Sequence, residues 1–152
     1  MGMIIALAVH ILAAVIWIGG MFFAYMILRP SLPPLELSNR LPVWQRVFAR
    51  FFPWVWLCIV ALPASGVTMV SEAFGGFSTL SPYVRLMMML GGVMIAIFLF
   101  LYFVPWRRFR AAVSAADWPV AETHIRRIRL LVGINLLLGL ATIVVGASGR
   151  FY

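Results

Sequence analysis

Four long apolar stretches, separated by short polar segments, make up most of the chain. They run from about Met3 to Leu28, Val47 to Ser71, Pro82 to Val104 and Ile128 to Ala147. About 20 apolar residues in a helix cross a hydrocarbon core of about 30 Å. A strand of a membrane barrel, in contrast, has about ten residues of alternating polarity. The pattern therefore predicts an all-α membrane protein, a bundle of four transmembrane helices that forms one domain over residues 1–152.

The composition agrees with a membrane chain, because 64% of the residues are hydrophobic, 11% are charged and the mean hydropathy is +1.06. The first stretch has no basic segment before Met3 and is longer than the apolar part of a cleavable signal peptide, so we expect it to be retained as a helix. In the second stretch, Pro63 lacks a backbone N–H and is expected to kink the helix near Ile59.

The basic residues predict the orientation of the chain. All twelve are arginines, and ten lie in or beside the first and third connections. Positively charged connections stay in the cytoplasm. Both chain ends and the connection EAFGGFSTLS are then expected on the periplasmic side of a bacterial inner membrane, with Trp44, Trp106 and Trp118 at the inner interface. Topology and membrane lipids account for the net charge of +8. Since no segment fits a nucleic-acid-binding module, nucleic acid is not an expected partner.

Few groups are available for acid–base or thiol chemistry. Of the four acidic residues, Glu36, Asp117 and Glu122 fall in the predicted cytoplasmic segments, so we expect no carboxylate pair within the bilayer. Cys58 is the single cysteine, which excludes an internal disulfide and a paired-thiolate metal motif. The sequence thus argues against hydrolysis and against a proton relay built on acids.

His10, Arg85, Asn135 and nine methionines are the remaining groups that can bind a ligand in or beside the apolar stretches. Polar groups inside a membrane need partners. Helical periodicity places these groups on three stripes that we predict to face the interior. The stripes are His10, Ala13, Ala14, Trp17 and Met21; Arg85, Met88, Met89, Gly92 and Ala96; and Asn135, Gly139, Thr142 and Gly146.

The depth of His10 selects its candidate partners. It lies about seven residues, or about 10 Å, below the outer start of its helix. Met88 and Met89 reach a matching depth, and Met69 could also approach from the second helix. His124 belongs to the opposite side, about 20 Å away, whereas two axial nitrogens on one iron lie about 4 Å apart. The two histidines therefore do not share one haem.

His10 and Arg85 each have two interpretations. An imidazole beside thioethers suits Cu(I), or with an axial methionine suits haem iron. Alternatively, His10 hydrogen-bonds to a backbone carbonyl or to Asn135 and serves packing only. Arg85 either reaches the outer interface, near Glu72, or binds an anionic group such as a haem propionate. For each methionine taken singly, core packing is the more common role.

Several segments together resemble the CopD family of copper resistance D-type membrane proteins. They are AVHILAAVIWIGGMFFAYMILRP, FFPWVW, YVRLMMMLGG with FVPWRRF, and RIRLLVGINLLLGLATIVVGASGR. The most specific parts are the spacing of His10, Trp17 and Gly20 and the pattern of Asn135 and Gly139. This resemblance implies a bacterial inner-membrane helical bundle linked to copper uptake or tolerance.

The first span is also similar, more distantly, to the HemJ-type protoporphyrinogen oxidases, which are small membrane bundles that bind haem b. His10 falls on the functional histidine of that family's motif. Arg85 stands where the family has a lysine, and the fourth span is unlike the family's. The likeness implies a haem-dependent alternative and leaves the oxidase activity open.

Two functional hypotheses result. In the first, His10 with Met88, Met89 or Met69 binds Cu(I) near the outer side of a copper-handling protein that is not an enzyme. The resemblance to the CopD family favours this hypothesis, and the soft thioether donors agree with it.

In the second hypothesis, the protein is a haem b cytochrome or a porphyrin-oxidising enzyme. His10 ligates the iron, Arg85 meets a propionate, Trp17 lines the ring pocket, and electrons pass to a membrane quinone. Asn135 is a candidate for the surroundings of the bound group in either case.

Overall fold

The computed structural model describes residues 1–76 and 80–149, with the side chain of Phe74 left out. This part of the chain forms four long helices and contains no strand. They are α1 (Gly2–Ser31), α2 (Leu37–Phe74), α3 (Pro82–Ser114) and α4 (Trp118–Ser148). All four are long and apolar enough to cross a membrane, which confirms the predicted all-α membrane fold. Residues 77–79 of the predicted outer connection lie outside the described residues.

Three of the helices extend beyond the predicted spans, all at the same end of the bundle. α2 begins at Leu37, α3 ends at Ser114 and α4 begins at Trp118, so each extension adds about ten residues, or ~15 Å of helix. Hydropathy missed these segments because they mix arginines with apolar residues, the pattern of a helix with one face on a core and one in water. We call this end, residues 29–52 and 105–129, the arginine end, and the end that carries His10 the histidine end.

The four helices form two antiparallel pairs, in which α1 packs along α2 and α3 along α4. Close contacts mark each pair at the histidine end. In the first pair, Gly2 lies against Glu72. In the second, Tyr83 lies against Gly149 and Met87 against Gly146. Nearer the middle, the pairs meet where Gly139 of α4 approaches Ile18 of α1 and Met94 of α3.

A cluster of buried aromatic rings lies at the arginine end. Trp44 and Phe48 stack with ring centroids 5.1 Å apart, and so do Phe48 and Phe52. Trp106 of α3 packs edge-on against Phe52 at 5.0 Å. Trp44 and Trp106 are therefore core residues, and that they mark the level of the inner interface stays a prediction. Because the helices extend beyond the apolar spans, these rings face neighbouring helices instead of lipid head groups.

Prolines coincide with the two departures from α-helical geometry in α1 and α3. A π-helical segment, Phe23–Leu28, precedes Pro30, and a second, Tyr102–Trp106, contains Pro105. A proline ring clashes with the carbonyl four residues earlier, and a wider turn gives that carbonyl room. α2 instead stays α-helical through Pro63, so the expected kink does not interrupt the helix.

Neighbouring glycines in α1 allow a test of the packing between α1 and α2. A Cβ atom at Gly20 would overlap the Phe51 ring, whereas a Cβ atom at Gly19 would meet nothing within 4 Å. We expect Gly20→Ala to lower stability by about 1–3 kcal/mol, the usual cost of overpacking. Gly19→Ala should leave stability unchanged or raise it by less than about 1 kcal/mol, because alanine favours the helix.

The measurement is the thermal unfolding midpoint of both variants in the same mild detergent. Equal midpoints for the two variants would contradict the close contact between Gly20 and Phe51.

Candidate functional site

His10 lies in the interface between α1 and α2 and is hydrogen-bonded to Ser65. The distance from His10 Nδ1 to Ser65 Oγ is 2.9 Å. The Ser65 hydroxyl also lies 2.6 Å from the carbonyl oxygen of Ala61 and 3.1 Å from that of Leu62. Since a hydroxyl has a single proton, and carbonyl oxygens only accept, Ser65 donates to the backbone and accepts from His10. Nδ1 of His10 therefore carries the hydrogen, and Nε2 presents its lone pair.

The residues around this hydrogen bond hold the imidazole in place. Ser65 is buried, and its bond to the preceding turn of α2 fixes the direction of its hydroxyl. The ring of His10 lies against Gly66, where an added Cβ would be 3.7 Å from Cε1. An imidazole whose Nδ1 hydrogen is bound to a fixed acceptor is the usual arrangement of a histidine that ligates a metal through Nε2.

Two methionines stand at one- or two-turn spacing from the His10–Ser65 pair: Met69 on α2 and Met3 on α1, whose side chain is 36% exposed. Met69 lies one turn beyond Ser65 on α2, toward the histidine end, and is half-buried. Met3 lies two turns before His10 on α1, and the contact between Gly2 and Glu72 places this part of α1 beside the end of α2. Met3 was not among the predicted ligands, although its seven-residue spacing from His10, typical of one helix face, could have indicated it.

Met88 and Met89 occupy the outer surface of α3, where their side chains are 48% and 67% exposed. The predicted interior stripe that contained them is therefore wrong. The face of α3 that is buried carries Met94, Phe98 and Leu101. The stripe was placed by helical periodicity through Arg85, Met88 and Met89. Near a helix end, however, an arginine reaches water or head groups from the surface, and Arg85 is exposed.

The predicted interior stripes of α1 and α4 are confirmed. On α1, Ala13, Trp17 and Met21 are buried and His10 is partly buried. On α4, Asn135 and Gly139 are buried. In these two helices small or polar residues recur at helical spacing among larger apolar ones, so the pattern indicated the correct face.

Asn135 joins α4 to α3. Its side chain is 2% exposed, and Nδ2 donates a hydrogen bond to the backbone oxygen of Met94 at 3.1 Å. Its Oδ1 atom is buried with no hydrogen-bond partner among the described residues. The sequence left two roles open for Asn135, a partner of His10 or a link between helices. In the structure Asn135 links two helices.

Trp17 is part of the bundle core. It is 2% exposed, and its ring packs edge-on against Phe98 with centroids 6.4 Å apart. A side chain packed in this way does not line an open ring pocket. His124 lies near the start of α4, at the arginine end, far along the bundle from His10. Nothing in the described part of the chain supports the haem alternative.

The ionisable residues alone do not form a metal site. Within residues 1–76 and 80–149, no three His, Cys, Asp or Glu side chains come together in a group that could hold a metal ion. Thioethers are a further class of ligand near His10, and they suit a soft cation such as Cu(I).

Comparison with protein families identifies the chain. The family model for copper resistance protein D, CopD, matches residues 45–148, well over half of the sequence. Comparisons with curated proteins and with solved structures found no match. The matched range contains Ser65, Met69 and Asn135 and begins after α1, so that His10 lies outside it. The chain belongs to the CopD family and is a multi-pass membrane protein of the copper-resistance type.

Proposed function

We propose that this protein handles copper in a bacterial inner membrane, and that it binds Cu(I) as cargo between α1 and α2 at the histidine end. The observation that carries the proposal is the hydrogen bond from His10 Nδ1 to Ser65, which leaves Nε2 free to ligate a metal. Membership of the CopD family supports copper as the cargo. The arginine-rich connections favour a cytoplasmic arginine end, and the site then faces the periplasm.

The ligands in this proposal are His10 Nε2 and the sulfur of Met69, with Met3 as a third donor. All three are neutral, so a single positive charge remains when Cu(I) binds. A monovalent ion is easier to accommodate among apolar helices than a divalent one, because the cost of moving an ion out of water rises with its charge. Imidazole and thioether ligands also select Cu(I) over magnesium or calcium.

Glu72 provides a negative charge where a cation would enter. It lies beside Gly2, at the exposed end of the α1–α2 interface and about two turns beyond Ser65. A carboxylate at this position attracts cations from solution while they are still hydrated, before they reach the proposed ligands. In this proposal the ion passes from Glu72 to Met3 and Met69 and then to His10.

The proposed ligands can be tested by copper binding. Protein in mild detergent is loaded with Cu(I) under reducing, oxygen-free conditions and titrated with a chromophoric Cu(I) chelator. We expect His10→Ala to lose the bound ion and Met69→Leu to weaken binding, because leucine keeps the volume of methionine and removes the sulfur.

The double variant Met88→Leu, Met89→Leu is the matched control. It removes two sulfurs at a similar depth on the outer surface of α3, and it should bind copper as the wild type does. Wild-type affinity in His10→Ala, or a larger loss in the control than in Met69→Leu, would overturn the proposed site.

Ser65 is expected to act on the metal only through His10. Ser65→Ala removes the acceptor that holds the Nδ1 hydrogen, and loss of such a partner typically weakens metal binding 10–100-fold. Ser65→Thr keeps the hydroxyl and should retain affinity near that of the wild type.

Ser71→Ala is the control, because the Ser71 hydroxyl also donates to a carbonyl of the preceding turn, at 2.9 Å, but lies on the exposed side of α2. The chelator titration described above measures all three variants. If Ser65→Ala and Ser71→Ala have equal copper affinities, Ser65 does not support the ligand.

A further inference from the structure

Glu122 is surrounded by arginines at the arginine end of the bundle. Its carboxylate lies 3.4 Å from Arg40 of α2. On α4 itself, it lies 3.3 Å from Arg126 and 3.6 Å from Arg129. One carboxylate therefore serves three guanidinium groups and ties α2 to α4.

A fourth arginine, Arg29, comes from α1. It lines the same small cavity as Arg129, together with Tyr25 and Trp44. The guanidinium of Arg29 lies over the Tyr25 ring, 4.8 Å from its centroid. No carboxylate of the described residues lies within 4.0 Å of it. Three helices thus bring four positive charges and one negative charge to a single place, which we call the arginine cluster: Arg29, Arg40, Arg126, Arg129 and Glu122.

The arginine cluster has more hydrogen-bond donors than acceptors, and it carries an excess of positive charge. Nε of Arg40 is buried and has no hydrogen-bond partner within residues 1–76 and 80–149. The side chains of Arg40 and Arg129 are 20% and 21% exposed, so water screens them only partly. Partly buried cations that repel one another and keep an unused donor are costly to a fold. A second anion would relieve both the repulsion and the missing hydrogen bond.

We propose that the arginine cluster binds a phosphate group. The guanidinium fork matches the geometry of phosphate oxygens, and several forks that converge from different helices suit a tetrahedral anion better than a single carboxylate. The cluster lies where α1, α2 and α4 leave the apolar stretches, the level at which phosphate groups of anionic lipids meet basic pockets between helices. Phosphate free in solution has the same chemistry.

The probes that distinguish these sources are short-chain phosphatidylglycerol, short-chain phosphatidylcholine and inorganic phosphate, each added to the detergent-solubilised protein. The thermal unfolding midpoint is followed against concentration, since a ligand of the folded state raises it by mass action. Phosphatidylglycerol stabilising more than phosphatidylcholine supports a lipid phosphate. Inorganic phosphate stabilising at low ionic strength, against a chloride control, supports a free phosphate site. Stabilisation by neither phosphatidylglycerol nor inorganic phosphate would overturn the proposal. So would equal stabilisation by the two lipids without any effect of inorganic phosphate, because zwitterionic phosphatidylcholine brings no net negative charge to the arginines.

Arg29→Gln is the informative variant, because Arg29 has no carboxylate partner and its loss leaves the ion pairs of Glu122 in place. We expect its apparent affinity for the stabilising probe to fall about fivefold, the effect of one cation near a charged surface. Arg110→Gln is the matched control, since Arg110 is an exposed arginine of the same end that also lies over an aromatic ring, 5.8 Å from Trp106. An equal loss in both variants would show general attraction and overturn the proposal.

Glu122→Gln gives a second test that does not depend on Arg29. Replacing the only carboxylate of the cluster removes a competitor for the guanidinium groups. The proposal predicts tighter binding of the probe by this variant, even if its midpoint without the probe falls. Unchanged or weaker binding would mean that the arginines serve Glu122 alone.

Discussion

The packing of aromatic rings at the arginine end holds the two helix pairs together. Inside a lipid bilayer, apolar side chains gain little by leaving lipid for one another, so the hydrophobic effect does not join helices there. Where α2, α3 and α4 leave the apolar stretches, water restores part of this driving force. At this level Phe48 and Phe52 of α2 pack edge-on against Trp106 of α3, and Trp44 stacks on Phe48. The rest of the bundle depends on this cluster for its arrangement.

Within the apolar stretches, contacts of another kind align the helices. Asn135 donates a hydrogen bond from α4 to the backbone of α3, and Gly139 lets α1 come close to α4. A hydrogen bond of this sort contributes about 0.6 kcal/mol on average, and close approach adds van der Waals contact. These contacts contribute less than the aromatic cluster, but they set the rotation of each helix about its axis. That rotation is what turns His10 toward Ser65 and leaves Met88 on the surface.

The length of the continuous apolar stretches predicted the number of helices and their all-α character. Regularly spaced small residues predicted the inward faces of α1 and α4. Both are local properties of the sequence. Hydropathy could not predict the helix extensions, since a helix that packs outside the membrane has a mixed composition. Helical periodicity also misplaced the inward face of α3, because the spacing that joins Arg85, Met88 and Met89 defines a stripe but does not show which way it points. Ser65 escaped notice because its role depends on its distance from His10, and that distance is set by how two helices pair.

The pairing of the helices has a thermodynamic consequence for the two ends. His10 and Ser65 belong to the same antiparallel helix pair, α1 and α2, so a ligand held by His10 and Met69 lies within one pair. Its binding energy stabilises that helix pair and does not strengthen the contact between the two pairs. The arginine cluster differs, because its guanidinium groups come from both helix pairs. If ligands occupy the two proposed sites, binding at the histidine end is a local event within one helix pair, whereas binding at the arginine end changes how firmly the two pairs adhere.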